Sequence, residues 1–304
     1  FRKPMEETIP KQSVYTISGE IFAKMVLPWT DQTPHLYDLV VEVKSKDGKT
    51  FSVKKKRFGF RTTDIFEKHI HINNEPMQLN AVKYYEFDPD GGSTVPLERF
   101  RQDILLMKRA NINAIFVMHH PSDAHFFDLC DEYGMYVISQ SSAATLLQSV
   151  YSLMHHPSII MWAMAGKKYD EEAYLKVKKK VLSLDDSRPI YCKMDRKLTV
   201  SDIMPFPNEV GYIYGEWCDL CLHRAHLRQL LKEDKTLFES MIARPKRAED
   251  DMDICYIHQG DLVDYGEHIG APIAQGIVDC NRVPHPIFFE VKKQCETVKI
   301  FASQ

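Results

Sequence analysis

The densest run of chemically capable side chains is Cys218-x2-Cys221-x-His223-x2-His226. Thiolates and imidazoles bind zinc, but zinc sites usually set two Cys/His pairs about 12–20 residues apart. From Leu220 onward the segment reads as a helix, on which Cys221 and His223 do not converge readily with the other two ligands. These residues therefore read as packing thiols, with a zinc site and a C-x-x-C redox pair as the alternatives. Asp88-Pro89-Asp90-Gly91-Gly92 offers oxygens in a tight chain, yet it lacks the length and spacing of an EF-hand and reads as a loop. Lys54-Lys55-Lys56-Arg57 is the one dense basic run, with the pattern of a solvated strand end.

A formal charge of −3 leaves no basic footprint for nucleic acid. Hydrophobic residues at 44% and charged ones at 27% suit a soluble globular chain, and 304 residues accommodate one large domain with a small partner. No apolar run reaches the ~18 residues of a spanning helix. Phe1-Arg2-Lys3-Pro4 lacks the pattern of a signal peptide, and a start without Met suggests a fragment or a trimmed chain. Seven cysteines, an odd count without a dense framework, lean toward free thiols in a reducing intracellular compartment.

The elements that must position any site change character along the chain. Ser13–Leu27 and Leu36–Val43 alternate apolar and polar residues as half-buried strands do, and Asp47-Gly48 turns the chain into Thr50–Val53. This is the last part of a sandwich rather than a whole one. Beyond residue 64, strands at Gln78–Val82, Asn113–Met118, Met135–Ile138, Ser158–Met164, Ile190–Lys193, Thr199–Met204, Val210–Tyr214 and Leu237–Ile242 are expected. Helices are expected at Leu97–Ala110, from Ser122-Asp123 to Tyr133, at Glu171–Leu184 and at Leu222–Leu231, while Arg244–Asp264 is polar and irregular. About eight such repeats predict an α/β fold, a (β/α)8 TIM barrel over 64–304, preceded by the C-terminal part of an immunoglobulin-like β-sandwich over 1–63.

Six segments in order resemble the β-galactosidase branch of family 2 glycoside hydrolases. They are Trp29…Pro34-His35-Leu36-Tyr37, Gly59-Phe60-Arg61, Asp103-Ile104-Leu105-Leu106-Met107-Lys108 with Asn113-Ala114, Leu129–Val137, His156-Pro157-Ser158-Ile159-Ile160-Met161-Trp162, and Gln275–Val278 with Arg282-Val283-Pro284-His285-Pro286. Together they cover nearly the whole chain. The family's sugar-binding N-terminal domain and later β-domains are absent from this sequence.

The resemblance implies a retaining glycosidase site, which needs two carboxyl groups about 5–5.5 Å apart. Where the family carries the acid/base of an Asn-Glu pair, this chain has Gly166-Lys167. A lysine ammonium is no general acid near neutral pH unless it is severely desolvated. Tyr214-Gly215-Glu216-Trp217 is the nearest equivalent of the nucleophile strand, which makes Glu216 a vestigial nucleophile or a rim glutamate. Lys167 could pair with Glu216 and fill the old pocket. Lys83-Tyr84-Tyr85-Glu86-Phe87-Asp88-Pro89 replaces a histidine-rich family segment, and Phe116 replaces an arginine. His119 is retained, as a ligand contact or as a structural histidine. The family's magnesium ligands fall at Ala144, Leu146 and Lys167, so no metal or other cofactor is expected.

The resemblance so modified implies a catalytically inactive barrel with a structural or protein-interaction role, with protein partners or missing domains of a longer chain around it. Apolar Phe87, Phe116, Leu146 and Leu147 at the mouth favour that reading. One rival is an O-glycosyl hydrolase with Glu216 as nucleophile and relocated acid/base chemistry, for which Glu86 and Glu267 are candidates. The other is a carbohydrate-binding module in which Trp217 faces an open cleft, with His119 and Glu86 as further ligand contacts.

Overall fold

The computed structural model describes residues 4–6, 16–17, 19–66, 69–88, 90–92, 94–118, 123–165, 171–192, 211–218, 276–278, 281–284 and 286–296, with only the backbone at 171, 192, 211–218 and 276. Two strands, β1 (Tyr37–Lys44) and β2 (Thr50–Phe58), pair antiparallel from Tyr37↔Phe58 outward. Gly48 closes their turn at a φ of +86°, as Asp47-Gly48 predicts. The Lys54–Arg57 run lies along β2 and is exposed.

The strand expected over Ser13–Leu27 does not form in its described part, where residues 19–27 carry no ladder. Phe22 is 79% and Met25 99% exposed. Alternation describes a half-buried strand only when a second strand supplies hydrogen bonds and cover, and no described strand does so here.

A three-stranded antiparallel sheet follows: β3 (Thr63–Phe66), β4 (His69–Ile72) and β5 (Glu75–Met77). The β4–β5 turn is Asn73-Asn74, both at positive φ (53° and 70°), as a two-residue hairpin loop requires. Buried Ile70 and Ile72 pack with Trp29 and Leu79 beneath the main sheet.

The main sheet is parallel, in the order β10-β9-β8-β7-β6-β11-β12. Its strands are β6 (Leu79–Tyr84), β7 (Ala114–Val117), β8 (Tyr136–Ser142), β9 (Ile159–Ala165), β10 (Ile190–Cys192), β11 (Gly211–Cys218) and β12 (Gly276–Val278). Helices α1 (Leu97–Arg109), α2 (Ala124–Tyr133), α3 (Leu146–Leu153), α4 (Glu171–Leu182) and α5 (Pro286–Gln294) accompany them. Strands β6 to β10 stand side by side in chain order, as successive barrel strands do, and β11 lies on the free side of β6. The expected Thr199–Met204, Leu222–Leu231, Leu237–Ile242 and Arg244–Asp264 segments lie outside the described residues.

Local chemistry accounts for most boundaries. Phe100, Ile104 and Met107 recur at helical spacing and are buried on one face of α1. The Asp123 carboxylate accepts from the His125 amide and caps α2, and Gly134, at φ +69°, ends it. A Cβ on Gly134 would stand 2.3 Å from the Asp31 carbonyl, and one on Gly59 would stand 2.9 Å from the Pro157 ring. Both glycines of the matched motifs thus permit the sandwich segment to press against the barrel.

Two buried clusters divide the core. One lies between sheet and helices and includes Val82, Ile115, Val137, Trp162 and Phe126. The other fills the barrel interior with Ala81, Ala114, Phe116, Ile138, Met161, Ala163 and Tyr191. Successive residues of β7 (Ala114 to Val117) and of β8 (Tyr136 to Ile138) alternate between the two, the period-2 signature of a sheet covered on both faces.

Candidate functional site at the barrel mouth

Barrel enzymes carry their chemistry at the C-terminal strand ends. Here those ends are Tyr84–Asp88 after β6, Val117-Met118 after β7, Ser139–Ser142 on β8, Ala165 on β9 and Glu216–Cys218 on β11.

Two aromatic rings lie on the interior face below the mouth. Phe116 and Tyr191 are buried and meet edge to face at 6.1 Å between centroids. Gln140 shares their face, two residues beyond Ile138, and its side-chain carbonyl is buried with no hydrogen-bond partner among the described residues.

The carboxylates after β6 serve the backbone. Glu86 Oε1 accepts from the Asp123 amide at 3.1 Å. Asp88 Oδ1 accepts from the amides of Asp90 (2.9 Å) and Gly91 (2.8 Å), and Oδ2 from Arg99 Nε at 3.2 Å. Burial alone would raise the Asp88 pKa, but the two amides and the Arg99 charge hold it below the usual range. The Asp123 carboxyl is likewise lowered by the His125 amide and ring, and the bond to Asp123 raises the His125 pKa.

This loop is anchored from the far end of the chain. Arg282, at φ +68°, donates from Nε to Asp103 Oδ1 (2.8 Å) and from Nη2 to Asp103 Oδ2 (2.9 Å) and the Phe87 carbonyl (2.9 Å). The Tyr84 hydroxyl donates to Asp103 Oδ2 at 2.9 Å, and the Arg282–Asp103 pair is 0% exposed.

Two mouth residues sit elsewhere than expected. Leu146 opens α3 fully buried in the sheet–helix layer, with Leu147 packed beside it, so neither closes the mouth. A leucine in a first helical turn faces the core its helix covers. Ala144 is exposed in the preceding turn. Neither Ala144 nor Leu146 has a side-chain oxygen to offer a divalent cation.

The backbone register of β11 places Glu216 beside Lys83 of β6 and Gly276 of β12. Register neighbours lie about 4.8 Å apart. Strand β9, which Gly166 and Lys167 follow in sequence, stands four strand steps from β11. Lys83 is the cation that backbone register sets beside Glu216, a pairing that periodicity along one strand could not disclose. Lys167, His119, Glu267, Cys221, His223, His226 and the side chains of Glu216, Trp217 and Cys218 lie outside the described residues. Cys130 and Cys295 are buried free thiols.

Among the described residues, the ligand atoms of Asp128, Asp131 and His156 lie within 4.8 Å of one another. Asp131 Oδ2 is bonded to His156 Nδ1 at 2.6 Å and Oδ1 accepts from the Ser158 amide at 3.0 Å. This cluster sits at the N-terminal ends of the strands and ties α2 to β9.

A parallel sheet of barrel strands, a sandwich hairpin below it and a locked C-terminal segment define a (β/α) barrel protein. Residues 63–154 and 144–216 match the family model "Glycosyl hydrolases family 2, TIM barrel domain", and 4–61 match "Glycosyl hydrolases family 2". The chain belongs to glycoside hydrolase family 2. It is 29% identical over 185 residues to a β-galactosidase of Lactococcus lactis, covering 54% of this chain and 18% of that protein. With a β-galactosidase of Aeromonas hydrophila it shares 24% identity over 354 aligned positions, covering 96% of this chain and 34% of the relative. The chain thus spans between 18% and 34% of the length of these two relatives. The solved family 2 β-galacturonidase of Eisenbergiella tayi, bound to galacturonate, superposes with a TM-score of 0.67 at 18% identity, over 93% of this chain and 62% of that one. A β-D-glucuronidase of Dictyoglomus thermophilum gives 0.60 at 18% identity, over 91% and 60%. No described helix is long and apolar enough to cross a membrane.

Proposed function

We propose that this chain is a non-hydrolysing family 2 barrel whose role is structural or in protein interaction, within a longer protein or an assembly. The observation that carries the reading is the mouth itself. Phe116 and Tyr191 are buried on the interior face and pack edge to face, while Glu86 and Asp88 are bonded to backbone amides. Sequence supports it independently, because Gly166-Lys167 follows β9 where the resemblance calls for Asn-Glu. Lysine in that seat withholds the proton a departing sugar oxygen needs, an effect worth about 10²–10⁴-fold in rate. With Ala144 and Leu146 as its donors, the site holds no magnesium in this reading.

The rival is an O-glycosyl hydrolase, favoured by the β-galactosidases and the β-galacturonidase among the chain's relatives. It needs Glu216 as nucleophile and a second carboxyl group within about 5.5 Å of it. Hydrolysis of aryl β-glycosides, galactoside and glucuronide included, by wild type and Glu216→Gln separates the two. Equal background rates support the proposal; turnover that depends on Glu216 overturns it. Calorimetric titration with the same sugars tests a carbohydrate-binding role without turnover.

A further inference from the structure

At the opposite end of the barrel from the mouth, a cavity of about 420 Å³ lies between the sandwich hairpin and the N-terminal strand ends. Its volume is in the range of small-ligand pockets. The hairpin contributes Leu39, Lys56 and Phe58, and the barrel contributes His155, Asp185 and Arg188, with Arg61 at the junction. Leu39, Lys56 and Phe58 share one hairpin face, since Leu39 pairs with Lys56 and Tyr37 with Phe58 in register.

The walls carry three permanent cations, Lys56, Arg61 and Arg188, against the single carboxylate of Asp185. That carboxylate is already committed. Asp185 Oδ2 accepts from Arg188 Nη1 at 2.5 Å and Trp162 Nε1 at 2.8 Å, and Oδ1 from the Ser187 amide at 3.0 Å and hydroxyl at 2.6 Å. Arg188 is saturated as well: its other donors reach the carbonyls of Ile159 (2.6 Å), Met154 (2.8 Å) and His156 (2.9 Å) and the Ser187 hydroxyl. Arg188 therefore supplies charge but no free N–H.

Arg61 differs. Its Nε donates to the Pro157 carbonyl (2.7 Å), Nη1 to Thr63 Oγ1 (2.6 Å) and Nη2 to the same Ile159 carbonyl that Arg188 uses. A guanidinium has five N–H groups, so Nη1 and Nη2 each retain one without a partner among the described residues. Lys56 Nζ is held 3.4 Å from His155 Nε2, a neutral acceptor, and lies exposed at the rim.

We propose that this cavity binds a small amphiphilic anion, a phosphate or carboxylate head on a compact apolar body. The head sits between Lys56 Nζ and the free N–H groups of Arg61, and the body lies against Leu39, Phe58, Met154 and Pro157. Uncompensated charge in the site shows in its neighbours. Burial and then Arg188 push the Arg61 pKa well down. His155 is pulled down to about 4 by burial, with His156, Lys56 and Arg188 adding to it and only Asp128 opposing. An anion in the cavity relieves both. Because hairpin and barrel both supply walls, the ligand also ties the sandwich segment to the barrel.

The test is an NMR titration of the His155 ring in the full chain with phenyl phosphate, benzoate and neutral benzyl alcohol. Saturable shifts with both anions, a His155 pKa raised by at least one unit on binding, and no response to the alcohol are expected. Phenyl phosphate binding tighter than benzoate assigns a dianion, and the reverse order a carboxylate. Lys56→Met, at an exposed position, should weaken the anions about tenfold with an unchanged circular dichroism spectrum. Absence of saturation up to ~10 mM, equivalent to less than about 3 kcal/mol of binding, overturns the proposal in wild type alone. So does unchanged affinity in a folded Lys56→Met variant.

Discussion

Asp103→Ala removes the centre of the buried network that joins the first barrel strand, α1 and the C-terminal segment. It deletes two bonds from Arg282 (2.8 and 2.9 Å) and one from the Tyr84 hydroxyl (2.9 Å), and it takes from the 0% exposed Arg282 guanidinium the carboxylate paired with it. Breaking one partner of a buried pair costs about 3–5 kcal/mol, chiefly because the surviving charge is stranded. The Tyr84 hydroxyl loses this acceptor as well, which adds to the cost. Replacing both members by apolar residues, Asp103→Leu with Arg282→Met, removes both charges together and should come within about 2 kcal/mol of wild type. Urea denaturation followed by Trp fluorescence and by circular dichroism gives each cost, and coincident transitions show that a single unfolding is measured. A single-variant loss below about 1 kcal/mol, or a double variant worse than Asp103→Ala, refutes the reasoning. A second readout is local. Arg282 also holds the Phe87 carbonyl, so proteolysis of Asp103→Ala should begin in the loop after β6.

Three other outcomes follow from the same structure. Gly134→Ala should cost at least about 2 kcal/mol, because φ +69° penalises any Cβ by ~1–2 kcal/mol and Asp31 must also move, and a urea midpoint near wild type contradicts this. His155, with a folded pKa of about 4 against ~6.5 unfolded, binds its proton more readily in the unfolded chain, so stability is lost as pH falls through that window. Denaturation midpoints from pH 7 to 4 should therefore slope less in His155→Asn, and an unchanged slope counts against it. Lys83→Met should alter the stability of wild type more than that of Glu216→Gln, since the two positions are register neighbours, and additive effects in the cycle remove that coupling.

The frame was legible from residue types because each motif residue has a local task that few other side chains perform. Asn113 accepts from the Asn80 amide (2.8 Å) and donates to the Gln78 carbonyl, Trp162 donates to Asp185, and Gly59 admits the Pro157 ring. The α1 face, the Asp123 cap and the Gly134 stop were likewise readable, being fixed by neighbours within a few residues. Three features were not. The absence of a strand over residues 19–27 depends on a missing partner, which alternation within one segment does not report. The antiparallel β3–β5 sheet uses strands of four, four and three residues, too short to carry a period. Helix α3 spans only eight residues, about two turns, too few for a helical period to stand out.

At the site, the reach of local reasoning ended sooner. Residue types could be read directly at Lys167, Ala144 and Phe116, where the resemblance implies departures from the family. Which strand stands beside Glu216 could not, because lateral order in a parallel sheet is set by crossovers of a dozen or more residues. The cavity at the barrel base escaped for the same reason: Lys56 and His155 are 99 residues apart in sequence.

Steady-state hydrolysis of p-nitrophenyl β-galactoside and β-glucuronide, from pH 4 to 8, with wild type beside Glu216→Gln, tests the central claim most directly. The proposed loss of the proton donor, with Phe116 and Tyr191 buried below the mouth, predicts a kcat/KM ratio of about one between the two proteins at every pH. A bell-shaped profile in wild type that Glu216→Gln abolishes would mean that a working pair of carboxyl groups faces solvent there, and the claim would be wrong.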